Sequence, residues 1–458
     1  ATAGGEITVS FAGQSVTVLA GSDGSWRAAL TPLEAEPMGR ELRIQSATEN
    51  VVLHDVVVGE VWHASGQSNM AMQVDAVAAR LPQAKDDLAA ASLPAIRFRR
   101  IGSNGSPAPL ADLAERGDWI VCSPTSAPGF SAVAFYFSRK LHDELGVPVG
   151  IIDTSRGGTP IEPFIPREAF VGHPTLTREG ELGDAGDLAG IWKLSGGVRA
   201  RDENWLPGRL FNARLAPISS FPVRGAIWYQ GESNCGVQED PRDYQYKMKA
   251  LVEGWRRAMD NEAMPVYFVQ LPGSGAGPGW PYLREQQRLS AAVPNTGMVV
   301  TIDLLDQDIH PPNKIDVGDR LARWALAKTY GKDMAFSGPL FQSAHVSDKT
   351  VTVHFDYAEK GLMVAEKEGL GMPTALPDDT LAHFEVADNS GAWHPAVASI
   401  DGQTVVVHSD AVPVPVAVRY AYDVDPQHAN LYNRDGLPAA PFCSKPELLV
   451  YDPGLPTE

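Results

Sequence analysis

Apolar residues divide the chain into three regimes. Residues 1–58 carry short, partly alternating runs (EITVSFA, QSVTVLA, SWRAAL, ELRIQS and NVVLHDV) separated by Gly-, Asn- and Asp-bearing turns, which predicts a small β unit of five strands. So few residues make a marginal sheet alone, so this unit is expected to pack on another part of the chain. From 59 to 330 the period changes. VPVGIID (147–153), GAIWYQ (225–230), VYFVQL (266–271) and GMVVTID (297–303) are nearly continuous apolar runs, the pattern of parallel strands buried on both faces. Between them stand Val133, Phe137, Leu141 and Leu145 at four-residue spacing, then YQYKMKALVEGWRRAM, YLREQQRLSAAV and DVGDRLARWALAKTY. Strands alternating with helices predict an α/β domain, a three-layer α/β/α sandwich with a mainly parallel sheet. Residues 163–206 show no clear period and read as an irregular insertion over the sheet's edge. Residues 331–458 return to short β runs (VTVHFDY, AHFEVA, QTVVVHS, PVAVRYAY), a sandwich-like C-terminal domain that the N-terminal unit is expected to join.

One strand of the central region points to chemistry. The run from Val56 to Trp62, broken by Gly59 and Glu60, reads as a single buried strand that turns at Gly66 and delivers Ser68 to the start of a helix. A serine in that place is an ordinary N-cap when it stands alone. Its N–H also lies where an oxyanion is favoured. Ser68, Gly157-Gly158, Gln230 and His310 all follow predicted strand ends, and open α/β sheets bind ligands at the carboxyl ends of their strands.

A serine nucleophile needs a base, and the base an orienting group. Of eleven histidines, most fall in β regions or on a helix, where packing is the default. His310 instead lies in a loop after the last central strand, stiffened by Pro311 and Pro312. Pro311 favours an extended backbone at His310, and in an extended stretch Asp308 and His310 point to the same side. The oxyanion donors expected on the same logic are Ser68 N–H, the Gly157-Gly158 backbone and the Gln230 amide. Glu232 is read either as orienting a partner or as capping the helix that follows the Gly231 turn.

Composition narrows the partners. At 458 residues with 44% apolar content, the chain is long enough for two or three domains. A formal net charge of −18 argues against a nucleic-acid partner, which requires clustered Lys and Arg. No apolar run approaches the ~18 residues of a membrane span. Three scattered cysteines, Cys122, Cys235 and Cys443, exclude a disulfide framework and a zinc ribbon. HExxH, Walker A, GxGxxG and GxSxG patterns are absent, so neither a metal nor a cofactor is expected. Oligomeric state has no signature. Ala1 begins inside a strand motif, so a secreted or periplasmic location follows if a leader was removed, and a cytoplasmic one otherwise.

SGQSNM (65–70), SRGGTPIEPF (155–164), LFNARLAP (210–217), IWYQGESN (227–234) and DIHPPNK (308–314), with ANLYNRDGLPAAPF (429–442) and the opening EITVSF, resemble the sialate O-acetylesterase-like carbohydrate esterases of the SGNH hydrolases. The resemblance implies an SGNH three-layer domain at 59–330, between β units at 1–58 and 331–458. It implies hydrolysis of O-acetyl groups on carbohydrates such as xylan, xyloglucan or sialic acid. It also implies Ser68 as nucleophile, His310 as base, and Ser68, Gly158 and Gln230 as oxyanion donors. Many members place the aspartate three residues before the histidine, where this chain has Gln307. Asp308 is therefore the expected acid, with Asp306, Asp303, Glu232 or a Ser–His pair without a carboxylate as alternatives. Arg156 stands where relatives often carry tryptophan. The rival readings are a non-catalytic protein that binds acetylated glycan and an esterase or thioesterase for other short acyl groups.

Overall fold

A computed structural model describes residues 1–115, 117–194, 202–235, 240–274, 277–304, 306 and 308–451. Gln307, part of the glycine-rich 273–279 segment and residues 195–201 of the expected insertion lie outside the described residues. The fold is mixed α/β: a mostly parallel seven-stranded sheet flanked by smaller antiparallel sheets.

The N-terminal region forms four strands: β1 (Glu6–Phe11), β2 (Gln14–Leu19), β3 (Glu36–Gln45) and β4 (Asn50–Val58), ordered β2-β1-β3-β4. The fifth expected strand, SWRAAL, does not form. The Gln14 side chain instead binds both backbone groups of Thr31, at 2.8 and 3.2 Å, and holds the 25–35 segment as a strap. The sheet keeps its own core of Ile7, Val9 and Ala20, and no ladder links it to the C-terminal sheets among the described residues. Its recorded tie runs to the central sheet, where Arg97 binds the Asp55 carbonyl (2.6 Å) and carboxylate (3.0 Å).

The central sheet comprises β5 (Glu60–Gly66), β6 (Leu93–Arg100), β7 (Ile120–Cys122), β8 (Val149–Asp153), β9 (Gly225–Tyr229), β10 (Val266–Val269) and β11 (Thr296–Val299). Their order is β11-β10-β9-β5-β8-β6-β7, all parallel except β7. The apolar run 56–62 is two strands, not one. It breaks at Gly59, where a Cβ would lie 2.3 Å from the Pro148 carbonyl oxygen, so the chain passes from one sheet to the next through a contact that only glycine permits.

Alternate residues of β5 face opposite sides, and their neighbours identify what covers each. Trp62 meets Phe137 of the helix Ala132–Leu145 and stacks on Tyr267, which in turn contacts Trp324 of the helix Lys314–Trp324. His63 faces Trp255 of the helix Tyr244–Ala258. Helices therefore cover both faces. Burying each such aromatic side chain contributes roughly 1.5–3 kcal/mol.

The expected irregular insertion contains a regular helix, Pro174–Ala185, started by Pro174 at its first turn and stopped by Gly186 in the left-handed conformation. Its buried stripe includes Glu179, whose carboxylate accepts from Lys247 at 2.9 Å, and that charged position hid the helical period. Beyond 331 the described residues form three antiparallel sheets, among them Thr350–Asp356 beside Thr404–His408 and Phe384–Ala387 beside Ala417–Tyr420. Their core is continuous with that of the central domain. Buried Arg284 strengthens this junction by donating to the carbonyls of Pro272 and Asp423.

Candidate active site

The sheet order reverses at β5: the chain goes first to β6 and β8 on one side and then to β9 on the other. A crevice forms outside the carboxyl end of such a strand. β5 closes on Gly66, whose φ is +140° and whose Cβ would lie 2.1 Å from the Tyr229 carbonyl oxygen. A side chain there would force β5 away from β9. Gln67 N–H then donates to Tyr229 O at 3.0 Å, and the short helix Ser68–Ala71 begins.

Ser68 Oγ lies 2.8 Å from His310 Nε2. The two side chains come from opposite ends of the central α/β region, 242 residues apart in sequence. The Asp308–His310 stretch bends rather than continuing extended, because Asp308 Oδ1 accepts the His310 backbone N–H at 3.1 Å, the usual turn-forming habit of aspartate. The same oxygen lies 3.4 Å from His310 Nδ1, with the Asp308 side chain 48% exposed. Arg80 ties the loop together, reaching the His310 carbonyl at 2.9 Å, Asp306 at 2.6 Å and Asp308 at 3.5 Å. Asp303 is held away from this group by a buried two-pronged pair with Arg320, 2.7 Å on each side.

Glu232 is half-buried, with its carboxylate turned inward onto Asn69. Burial raises its pKa, opposed by hydrogen bonding from Asn69 and by the nearby charges of Lys314 and His310. Asn69 donates to Glu232 and to Ile309 O (2.8 Å) and accepts from Lys314. Burial pushes the Lys314 ammonium down to about 7.

The other rim follows β8. Thr154 N–H and Arg156 N–H donate to Ala64 O and Gly66 O at 2.9 and 3.0 Å, carrying the β5–β8 pairing past the strands. Arg214 fixes this loop from beneath, donating to the carbonyls of Thr154 and Ser155 (2.9 Å each), Ser103 (2.8 Å) and Gly102 (3.0 Å). Gly157 lies beside the serine, since a Cβ on it would stand 3.8 Å from Ser68 Cβ. Gly158, at φ +66°, borders open space. Among the described residues, the N–H groups of Ser68, Gly157 and Gly158 donate to no protein acceptor. Arg156 leans away onto Asp202 (2.9 Å) and Asn104 (3.2 Å).

Gln230 is buried, and its amide is engaged by Asn234 (2.7 Å), Gln67 (3.0 Å) and Thr159 O (3.4 Å), while Tyr244 OH donates to its oxygen at 2.7 Å. It thus joins the ends of β5, β8 and β9 and makes no hydrogen bond to Ser68. His63 packs beneath, 2.8 Å from Thr154 Oγ1, with burial holding it neutral to about pH 3. All three cysteines are buried and none forms a disulfide, and burial pushes Cys122 up to about 11. Among the described residues, no cluster of three or more His, Cys, Asp or Glu side chains could hold a metal, and no helix is long and apolar enough to cross a membrane.

Sequence reasoning gave no role to Asn69, Lys314, Arg80 or Arg214. The first two stood inside SGQSNM and DIHPPNK. The available signal was a lysine placed at the first position of a helix, against the helix dipole.

The family model described as a carbohydrate esterase, sialic acid-specific acetylesterase, matches residues 58–327. The sialate O-acetylesterase of Rattus norvegicus is 29% identical, over 97% of this chain and 90% of its own length, and that of Homo sapiens is 28% identical, over 94% and 84%. A carbohydrate acetylesterase from Xanthomonas citri superposes with a TM-score of 0.82 at 33% identity, covering 97% of this chain and 94% of its own. This chain belongs to the sialic acid-specific acetylesterase family of carbohydrate esterases and is, at that level, a carbohydrate acetylesterase-type hydrolase.

Proposed function

We propose that the protein removes O-acetyl groups from the sugars of a glycan through an acetyl-enzyme on Ser68. The observation that carries this reading is the 2.8 Å approach of Ser68 Oγ to His310 Nε2. His310 takes the hydroxyl proton as Oγ bonds to the acetyl carbon. The tetrahedral oxyanion is received by the N–H groups of Ser68 and Gly158, each donor being worth roughly 2.7–4 kcal/mol of barrier. Gln230 contributes only if one of its N–H groups turns from its present acceptors to the substrate. His310 then protonates the departing sugar oxygen as its bond to the acetyl carbon breaks. Next it removes a proton from water, whose oxygen attacks the acetyl-enzyme, and acetate leaves as Ser68 is regenerated. Asp308 is the carboxylate nearest to His310 Nδ1 and on this reading stabilises the imidazolium.

The fold assigned with this chemistry is the SGNH three-layer sandwich at 59–330, between a β unit at 1–58 and a β domain at 331–458. The names of the relatives favour sialic acid, while the Xanthomonas citri protein is described more broadly, so xylan and xyloglucan stay in the test. Acetate release from acetylated xylan, xyloglucan, pectin and O-acetyl sialic acid is the deciding measurement, with Ser68→Ala alongside. Release by the wild type that falls to background in Ser68→Ala is expected, and the preferred glycan names the substrate. Equal release by Ser68→Ala, or none by a well-folded wild type, refutes the reading, the latter in favour of a glycan-binding protein. Rates that hold steady from acetyl to butyryl esters would favour a broader acyl esterase.

A further inference from the structure

Asn69 joins the candidate nucleophile to its base. It follows Ser68 in the chain, while Ile309, whose carbonyl it binds at 2.8 Å, precedes His310. Its second N–H goes to Glu232, and its oxygen accepts from Lys314. Every hydrogen-bonding group of this fully buried amide is thus used, with partners following β9 and β11 while Asn69 itself follows β5.

Lys314 is hard to explain as packing. It is fully buried and is the first residue of its helix, where the macrodipole disfavours a cation, so both burial and position act against it. Its ammonium meets the Asn69 oxygen and lies 5.3 Å from the centre of the Tyr229 ring. An ammonium only donates, so Asn69 must turn its oxygen to Lys314 and both N–H groups to Ile309 and Glu232. Without that donor the amide keeps its two acceptors, but its buried oxygen is left unpaired and Asn69 loses the third of its anchors, which loosens its hold on the loop that carries His310.

We propose that Asn69 is a positioning residue for His310, and that Lys314 serves it by anchoring the oxygen of the Asn69 amide. This rests on the Ser68–His310 reading. A displacement near 1 Å at a reacting group costs about 10²-fold, so a loosened histidine loop should lower kcat by about 10- to 100-fold and leave KM nearly unchanged. The neutral-range titration of Lys314 agrees with a cation held at a cost in stability.

The test compares Asn69→Ala and Lys314→Met with wild type, Ser68→Ala and His310→Ala. The readouts are kcat and KM on an acetyl ester, the rate at which a fluorophosphonate labels Ser68, and the melting temperature. The expected result is a kcat and a labelling rate lowered together in both variants, with KM within about twofold. Lys314→Met removes a buried ammonium but leaves the Asn69 oxygen unpaired and Glu232 without a nearby cation, so it should melt modestly lower than wild type, and a variant that is folded at the assay temperature but slower is not merely misfolded. Wild-type kcat in folded Lys314→Met, a loss confined to KM, or failure of Lys314→Met to fold would each overturn the proposal, whatever the fate of Asn69→Ala. Wild-type turnover in Ser68→Ala or His310→Ala would instead overturn the underlying reading, so the two failures are distinct.

Discussion

Asp308→Asn separates the charge of Asp308 from its structural use. Asparagine keeps the oxygen that accepts the His310 backbone N–H, so the bend survives and only the charge near Nδ1 disappears. At 3.4 Å, a full charge pair is worth about 1.2 kcal/mol with the dielectric of water and about 5 kcal/mol at an effective value of 20. The Asp308 side chain is 48% exposed and also faces the Arg80 guanidinium at 3.5 Å, which places the interaction near the watery end. About 1–2 kcal/mol of imidazolium stabilisation remains, a loss of about 5- to 30-fold in kcat. The assay is initial-rate hydrolysis of an acetyl ester at low and high salt, where the gap between variant and wild type should narrow as salt screens an exposed pair. A loss near 10⁴-fold, as when the buried aspartate of the serine-protease triad is replaced, would show that Asp308 closes onto the imidazole and refute this estimate. No loss at all would pass the role to Glu232 or to a Ser–His pair.

Asp303→Asn should leave turnover per folded molecule within about twofold while destabilising the fold by about 3–5 kcal/mol, since it strands the buried Arg320 guanidinium. Denaturant unfolding and active-site titration measure the two effects, and a selective loss of kcat would return Asp303 to the candidate acids. His63→Gln should flatten the acid limb of stability. Burial holds His63 near pKa 3 against about 6.5 when unfolded, so the unfolded chain binds the extra proton between those values and wild-type stability falls as pH drops through that window. Melting temperatures from pH 7 to pH 4 test this, and parallel curves for the two proteins would refute it.

The parallel strands were legible because a strand covered on both faces must be apolar nearly throughout, as β9 and β10 are and as β8 is up to Asp153. β6 was not. Its Ile96 and Phe98 alternate with Arg97 and Arg99, one of which turns out to hold the N-terminal sheet. SWRAAL looked like a strand by composition, but the chain just after it is held at Thr31 by the Gln14 side chain rather than by a ladder. Ser68 and His310 could be singled out because each follows a strand end, a position the apolar pattern itself locates. Asn69 and Lys314 could not, for a different reason. Their partners lie 163 to 245 residues away, and nothing local to either records that the ends of three strands meet there.

The charges around Ser68 suit, on the proposed reading, reaction at an uncharged acetyl group even in a chain of net −18. On the proposed reading, proton transfer creates two charges where none existed: an imidazolium at His310 and an oxyanion beside Gly158. Asp306, Asp308 and Glu232 all stand on the histidine side, whereas the glycine side offers backbone N–H groups with Arg156 and Arg214 close by. The acetyl ester group gains little from this polarity before it reacts, since the group itself carries no charge. The transition state gains at both ends, and a field arranged in advance requires no reorganisation when those charges appear. The cations on the base side fit the same scheme only because they are committed elsewhere, Arg80 to two carboxylates and a carbonyl, Lys314 to Asn69. Removing either should therefore act through the position of His310 more than through the field it feels.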